Sequence, residues 1–413
     1  MKIKEKIQNA MQEGGVSLLI KKSWRKARRM FGFIHNSSYV FSHKMPRGLS
    51  LPQGDLEVKN ITPGDKDILI AKRILTSFHK ALSDGKGYAK PGDEDQWDFA
   101  EKDLQDDFVQ LLLSGDAHRL ADYLSNMHRR SITYGISNVV DYDEIRTNKK
   151  LRRYEAALIK DRFASFAELL NILPFEGPEQ GEFGKNIHED SDRLVGEIEK
   201  TTGIKIAPPE IDGGLFKLKL GEGYFDSRDI FSLYTAWRIS QLIDPKNASV
   251  CEIGAGIGKV ALYANRFNFL NYSIFDLPRM NVVQAWYLIK GLPDKEVVLY
   301  GEVARSENSV KILPYWEFMK IEHKTYDLTL NEDSFPEIAR EVVDDYLDKI
   351  KKNTKKYLMS INQEGGATSV PGTNRHQLVS SRVIEESGGF KRIYRFPFML
   401  RRGYAEELYE IIH

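Results

Sequence analysis

Residues 247–279 read NASVCEIGAGIGKVALYANRFNFLNYSIFDLPR. The run 249–253 is short, apolar and of strand type, and Gly254-Ala255-Gly256-Ile257-Gly258 is a tight glycine turn. Val260, Ala261, Tyr263, Ala264 and Phe267 then recur at helical spacing. A second strand, 272–275, ends on Asp276. The stretch predicts a β-turn-α-β unit with an acid near the tip of each strand, Glu252 on the first and Asp276 after the second. Glycines let backbone amides approach a ligand closely, and an acid at the second strand end suits a ribose diol.

Spacing separates the adenosine cofactors that fit such a unit. A dinucleotide fingerprint, G-x-G-x-x-G, would place its third glycine at 259, which is Lys259. The chain instead reads E-x-G-x-G-x-G, ending at Gly258. That pattern resembles motif I of the class I S-adenosylmethionine-dependent methyltransferases. The resemblance implies S-adenosylmethionine as cofactor, with Glu252, Gly254, Gly256 and Gly258 beneath its methionine and ribose, Asp276 on the ribose hydroxyls and Leu277 against adenine. A turn that merely needs positive φ is the plainer alternative, and a nicotinamide-dependent oxidoreductase is disfavoured by Lys259.

The 413 residues suffice for two domains and an ample core. Cys251 is the one cysteine, so no internal disulfide can form and a reducing cytoplasm is expected. There is no Cys/His cluster of zinc spacing, no apolar run near the ~20 residues of a membrane span, and no signal-peptide pattern. Charge is unevenly placed. Residues 1–50 carry a net +9 and the remainder −8, although the chain as a whole is +1.

Taken in order, 1–50 is a basic amphipathic segment. Leu18, Leu19, Trp24, Met30 and Phe31 form a stripe among Lys21, Lys22, Arg25, Lys26, Arg28 and Arg29. Two readings stay open: a helix docked on protein, or peripheral contact of 1–33 with the anionic inner face of a membrane. No stacking motif or nucleic-acid module accompanies the charge, so nucleic acid is not expected as a partner. Residues 51–204 read as a mostly α-helical domain, with core stripes at 68–78, 108–113 and 120–127 and a long run at 141–172. Glycine and proline cluster over 173–224, read as the connection between domains, and 227–243 opens a helix with a Ser-x-x-Asp-like cap. Beyond it, helices and strands alternate, with strands expected at 297–300, 327–330, 357–361 and 390–399, a helix at 337–352, and a last helix at 403–412. The fold class is therefore α/β, a helical domain followed by a doubly wound, Rossmann-like sheet at 205–413.

Several segments together resemble one family. CEIGAGIGKVALYA (251–264), IFDLPRMNVVQAWYL (274–288), NEDSFPEI (331–338), SINQEGG (360–366) and YRFPFMLRRGYAEELYEI (394–411) are similar to the sugar O-methyltransferases of bacteria and archaea. The resemblance covers 205–413 well and the helical part loosely. It implies methylation of a sugar hydroxyl on a glycan, glycolipid or glycosylated metabolite, as in polysaccharide biosynthesis. Asp276-Leu277-Pro278 also resembles the DLP element of small-molecule O-methyltransferases. Those enzymes carry a catalytic His after their fourth strand, where this chain has Asn331, Glu332 and Asp333. A non-sugar acceptor and a cofactor-binding scaffold without turnover are the alternatives.

A hydroxyl acceptor has a high pKa and must lose its proton as the new bond forms, so a base is expected at a strand's C-terminal end. Glu332 and Asp333 follow the fourth strand, Glu364 follows the fifth, and His376 lies beyond it with the resting pKa best suited to a base. Tyr224, Arg228, Arg401 and Arg402 are candidates to line the acceptor site, and His323 reads as surface. No metal ligand set is assigned.

Overall fold

The computed structural model describes residues 54–85, 106–133, 142–177, 179, 181, 183–365 and 377–412. The basic segment 1–50 and His376 lie outside the described residues. The chain from Leu51 to His413 forms one compact unit.

After the short strand β1 (Glu57–Val58), helix α1 (Asp65–Asp84) starts where the Asp67 carboxylate accepts the Gly64 amide. It buries Ala71, Ile74, Leu75, Phe78 and Ala81, a single face at helical spacing. Helices α2 (Asp106–Ser114) and α3 (Ala117–Ser125) are separated by Gly115, at φ 70°, and by Asp116, whose side chain caps α3. The run expected at 141–172 is broken at Asn148, which ends α4 (Tyr142–Thr147) and caps α5 (Lys149–Leu169). Helix α6 (Ser191–Thr202) follows. The end of the expected linker then folds as a hairpin, β2 (Phe216–Leu220) and β3 (Gly223–Phe225), which pairs with β1 as a three-stranded sheet. Helix α7 (Ser227–Leu242) is capped by Asp226 rather than Ser227. Asp226 accepts the Arg228 and Asp229 amides, and Asp229 returns a bond to the Asp226 amide.

The opening unit is β4 (Ser249–Ile253), α8 (Lys259–Arg266) and β5 (Asn271–Asp276). Helix α9 (Pro278–Gly291), β6 (Val297–Leu299), β7 (Val310–Pro314) and α10 (Tyr315–Met319) come next. They are followed by β8 (Tyr326–Glu332), α11 (Arg340–Asn353), β9 (Thr354–Gln363) and α12 (Ser380–Ser387). The chain closes with β10 (Phe390–Pro397) and β11 (Tyr404–Ile411). The eight strands lie in the order β10-β11-β9-β8-β4-β5-β7-β6. Six are parallel, while β11 runs antiparallel between β9 and β10. This is the expected doubly wound, Rossmann-like α/β sheet.

The strand expected at 297–300 is present as the edge strand β6, and a further strand, β7, lies between it and β5. One expectation fails. The helix expected at 403–412 is strand β11, buried on both faces between two partners. Ala, Glu and Leu favour helix in isolation, but two ladders of hydrogen bonds override that preference.

Strand residues alternate between two cores, one per face. Val250, Ile274 and Leu408 join a large cluster with α5, α7, α8, α9 and α1. Cys251, Phe275 and Tyr409 join a smaller one with α10, α11 and α12. Helical segment and sheet thus share a core, and Lys290 on α9 is ion-paired with Asp67 on α1 at 2.6 Å. No helix among the described residues is long and apolar enough to cross a membrane.

Candidate active site

From β4 the chain steps outward through β5 to the edge strand β6, comes back through β7, and crosses to β8 on the other side of β4. The C-terminal ends of β4 and β8 therefore flank the point where winding reverses, the place where open α/β sheets bind ligands. A cavity of about 570 Å³ opens there, a size suited to a cofactor. Its wall runs from Arg228 and Phe231 along Glu252, the turn 254–257 and Asp276-Leu277 to Trp316, with Glu332, Asp333 and Ser334 opposite the turn.

Three glycines make that turn, and two have visible reasons. Gly254 has φ 74°, and a Cβ there would meet the Ser334 hydroxyl at 2.5 Å. Gly258, at φ 91°, caps α8, and a Cβ would press on Leu288 of α9 at 3.0 Å. Gly258 therefore sets helix packing, between Ile257 and Lys259 of the cavity wall. Gly256 lines the cavity at φ 57°.

Asp276 is held by three donors: the Leu277 amide at 2.7 Å, the Ala255 amide at 3.0 Å and the Gln284 side chain at 2.6 Å. Gln284 also bonds the Gly256 carbonyl at 3.1 Å, so it ties the turn to the acid. A carboxylate offers about four acceptor positions, which leaves Asp276 room for a ligand hydroxyl. Burial raises its carboxyl to about 6, against the bonds from Leu277 and Gln284. Glu252 is 2% exposed and accepts the Tyr272 hydroxyl at 2.8 Å. Burial pushes it up to about 8, and the nearby Glu332 and Asp276 add to the shift.

Glu332 and Asp333 end β8 in contrasting states. Burial raises Glu332 to about 7. The Thr235 hydroxyl is close enough to favour its charged form, yet neither Oε2 of Glu332 nor the Thr235 hydroxyl completes a hydrogen bond of ordinary geometry. Asp333, at φ 55°, is ion-paired through Oδ2 with Arg228 and Arg401, each at 2.7 Å, and accepts the Tyr404 hydroxyl. Against the cost of burial, the two guanidinium charges hold Asp333 below the usual carboxylate range. Of the two, Glu332 has the properties of a base near neutral pH, and Asp333 those of a fixed anion.

The remaining candidates separate. Asn331 is fully buried and bonds the Ile253 carbonyl at 3.0 Å and Ser334 at 2.6 Å, so it holds the strand ends together. Glu364 accepts the amide and hydroxyl of Ser381 and pairs with Arg395 at 3.2 Å. It anchors the start of α12 and is not among the residues of the cavity wall. Tyr224 stacks under Lys59 at 3.7 Å, also away from the cavity, and Arg402 and His323 are exposed.

Sequence reasoning missed the partners that arrive from distant elements. Lys259, 3% exposed, is ion-paired with Asp226 and, at 2.7 Å, with Asp229 of α7. Gln284 and Thr235 sit inside apolar helical faces, where a polar residue among core positions was the available signal. Among the described residues no group of three or more His, Cys, Asp or Glu is arranged to hold a metal ion.

No protein-family profile matches the chain, and no curated protein is similar to it. Solved structures are similar over under half of it. The magnesium protoporphyrin IX methyltransferase of Synechocystis PCC 6803, solved with bound SAM, shares 13% identity over 45% of this chain and 82% of its own, with a TM-score of 0.32. The glycopeptide N-methyltransferase MtfA, solved with sinefungin, shares 11% over 44% and 94%, with a TM-score of 0.34. The PH0226 protein of Pyrococcus horikoshii OT3 shares 12% over 43% and 89%, with a TM-score of 0.33. At that distance the similarity assigns no activity, and the fold rests on the strand order itself.

Proposed function

We propose that the chain transfers the methyl group of S-adenosylmethionine to a hydroxyl of an acceptor bound at the Glu332 end of the cavity. The observation that carries this reading is the set of three carboxyls, Glu252 buried and Asp276 and Glu332 half-buried, around one glycine-turned cavity at the winding switch. Each is held partly protonated by burial, so a cationic ligand among them would relieve an electrostatic cost already present in the fold. A sulfonium with an α-ammonium group meets that requirement, and the residues present fit it. Asp276, oriented by Gln284, would take the ribose hydroxyls, Glu252 the positively charged part, and Leu277 the adenine face. The cofactor, when bound, supplies an electrophilic methyl group for in-line displacement by the acceptor oxygen. Glu332 would accept the proton that the hydroxyl loses, and its value of about 7 keeps a useful fraction ionised at neutral pH. That the acceptor is a sugar rests on the sequence resemblance at 251–264, 274–288, 331–338, 360–366 and 394–411.

Calorimetry with S-adenosylhomocysteine tests the reading. Asp276→Ala should weaken binding roughly tenfold or more, as loss of a charge-assisted hydrogen bond implies. Glu332→Gln should bind normally but transfer labelled methyl to a sugar-nucleotide or glycan panel far more slowly. Unchanged affinity in the Asp276 variant would sink the assignment of the site.

A further inference from the structure

Arginines from three separate elements converge beside the acceptor end of the cavity. Arg228, in the first turn of α7, lines the cavity and pairs with Asp333. Phe231 lies one turn further along the same face, also in the cavity wall. The guanidinium of Arg162, on α5, sits 4.7 Å from the centre of the Phe231 ring. From the turn between β10 and β11, Arg401 lies 4.0 Å over the Tyr404 ring and gives Nη1 to the same Asp333 oxygen that Arg228 uses. Phe398 of that turn packs edge-on against Phe231 at 5.8 Å, which closes the ring of contacts.

Among the described residues, Arg228 and Arg401 both pair with Asp333, and Arg162 makes no hydrogen bond or ion pair. Glu155 and Asp161 on α5 act on Arg162 only at a distance. Burial pulls its guanidinium down to about 10 despite Glu155, and Arg401 and Arg228 push it the same way. Glu332, partly protonated, adds only part of a negative charge. Arg162 is half-buried, and a cation drawn out of water without a partner is costly, so an anionic ligand beside it would offset that cost. Arg228 lines the cavity, and Arg162 and Arg401 lie beside it without lining it; together they oppose the acids Glu252 and Asp276, a polarity that sorts a cationic donor from an anionic acceptor.

We infer that Arg162, Arg228 and Arg401 form an oxyanion subsite that recognises a phosphate or carboxylate group carried by the acceptor. The inference builds on the proposed methyl transfer but concerns a different end of the cavity. Planar guanidinium groups with several donors each are suited to bidentate capture of such groups.

The test titrates the full-length protein at constant ionic strength with inorganic phosphate, with glucuronate and with glucose, and separately with S-adenosylhomocysteine. Saturable binding of phosphate or glucuronate but not of glucose is expected, and the tighter of the two identifies the group recognised. Arg162→Gln should weaken that binding roughly tenfold or more, and Arg162→Lys, which keeps the charge but loses the planar fork, should weaken it less. S-adenosylhomocysteine affinity should be unchanged in both variants, which also reports that they are folded. No anion binding, or binding equally strong in Arg162→Gln, overturns the subsite. If S-adenosylhomocysteine binds and the anions do not, the subsite alone falls. If the anions bind and S-adenosylhomocysteine does not, the methyl-transfer reading falls and the subsite stands.

Discussion

Glu252 shows at a single residue how the site opposes the stability of the fold. Its carboxyl is raised from the ordinary glutamate value of 4.5 to about 8 by burial, so the folded chain prefers it protonated. The sign follows from linkage. The contribution to stability is fully present below about 4.5, where the unfolded chain is also protonated, and is lost as pH rises through about 8. Glu252→Gln keeps the shape and removes that titration. The ligand-free variant should be more stable than the parent at pH 8, by a few kcal/mol at most, and close to it at pH 5. Thermal melts at the two pH values check this. An equal shift at both would show that the effect is packing rather than ionisation.

At the scale of elements, the junction between α7 and α8 is built on buried charge. Lys259, the first residue of α8, reaches the two acids that cap and open α7, Asp226 and Asp229. Against the cost of burial, the Lys259 and Lys217 charges hold Asp226 low, while burial and Asp226 raise Asp229 to about 6. Removing the cation strands two carboxylates, the kind of loss that costs about 3–5 kcal/mol. Lys259→Met should therefore lower the urea midpoint strongly at pH 8 and less at pH 5, where the acids can take up protons. A loss independent of pH would mean that the lysine acts through its stem alone.

The same scale explains what was legible. The glycine turn and Asp276 could be read because one local stretch contains the strand, the turn, the helix and the acid. Lys259 could be excluded as a fingerprint glycine, but its pairing with Asp226 crosses thirty-three positions and has no local signature. Strand β11 misled because both its faces are buried: Glu406 meets Tyr234 and Arg238, and Glu407 meets Arg395, so polar residues sit where alternation would demand apolar ones. Strand β7, with Val310, Ile312 and Pro314 buried in alternation, had a readable pattern but only five residues of it. Arg162 had none, since nothing in α5 marks which of its charged residues turns toward Phe231.

For the molecule as a whole, the division of the chain at 204/205 meets a physical objection. Helix α1 packs on α9, where Ile74 and Phe78 share a core with Val282 and Ala285, and Arg73 bonds both the Glu302 carboxylate and the Val297 carbonyl of the sheet's edge. Asp212 is buried with two partners, Lys217 on its own side of that division and His128, at 2.7 Å, on the other. Burying an apolar side chain contributes about 1.5–3 kcal/mol, and a domain's whole stability is about 5–15 kcal/mol. Ile74, Leu75 and Phe78 on α1 alone are therefore comparable with a domain's whole reserve. A fragment of residues 205–413 should lack a cooperative unfolding transition and bind hydrophobic dyes, whereas the full chain should melt in one step. Near-ultraviolet circular dichroism and calorimetry on both would decide. A fragment that melts cooperatively and still binds S-adenosylhomocysteine would show that the helices cover the acceptor side of an independently stable sheet; loss of both would make them part of the one core on which the cavity depends.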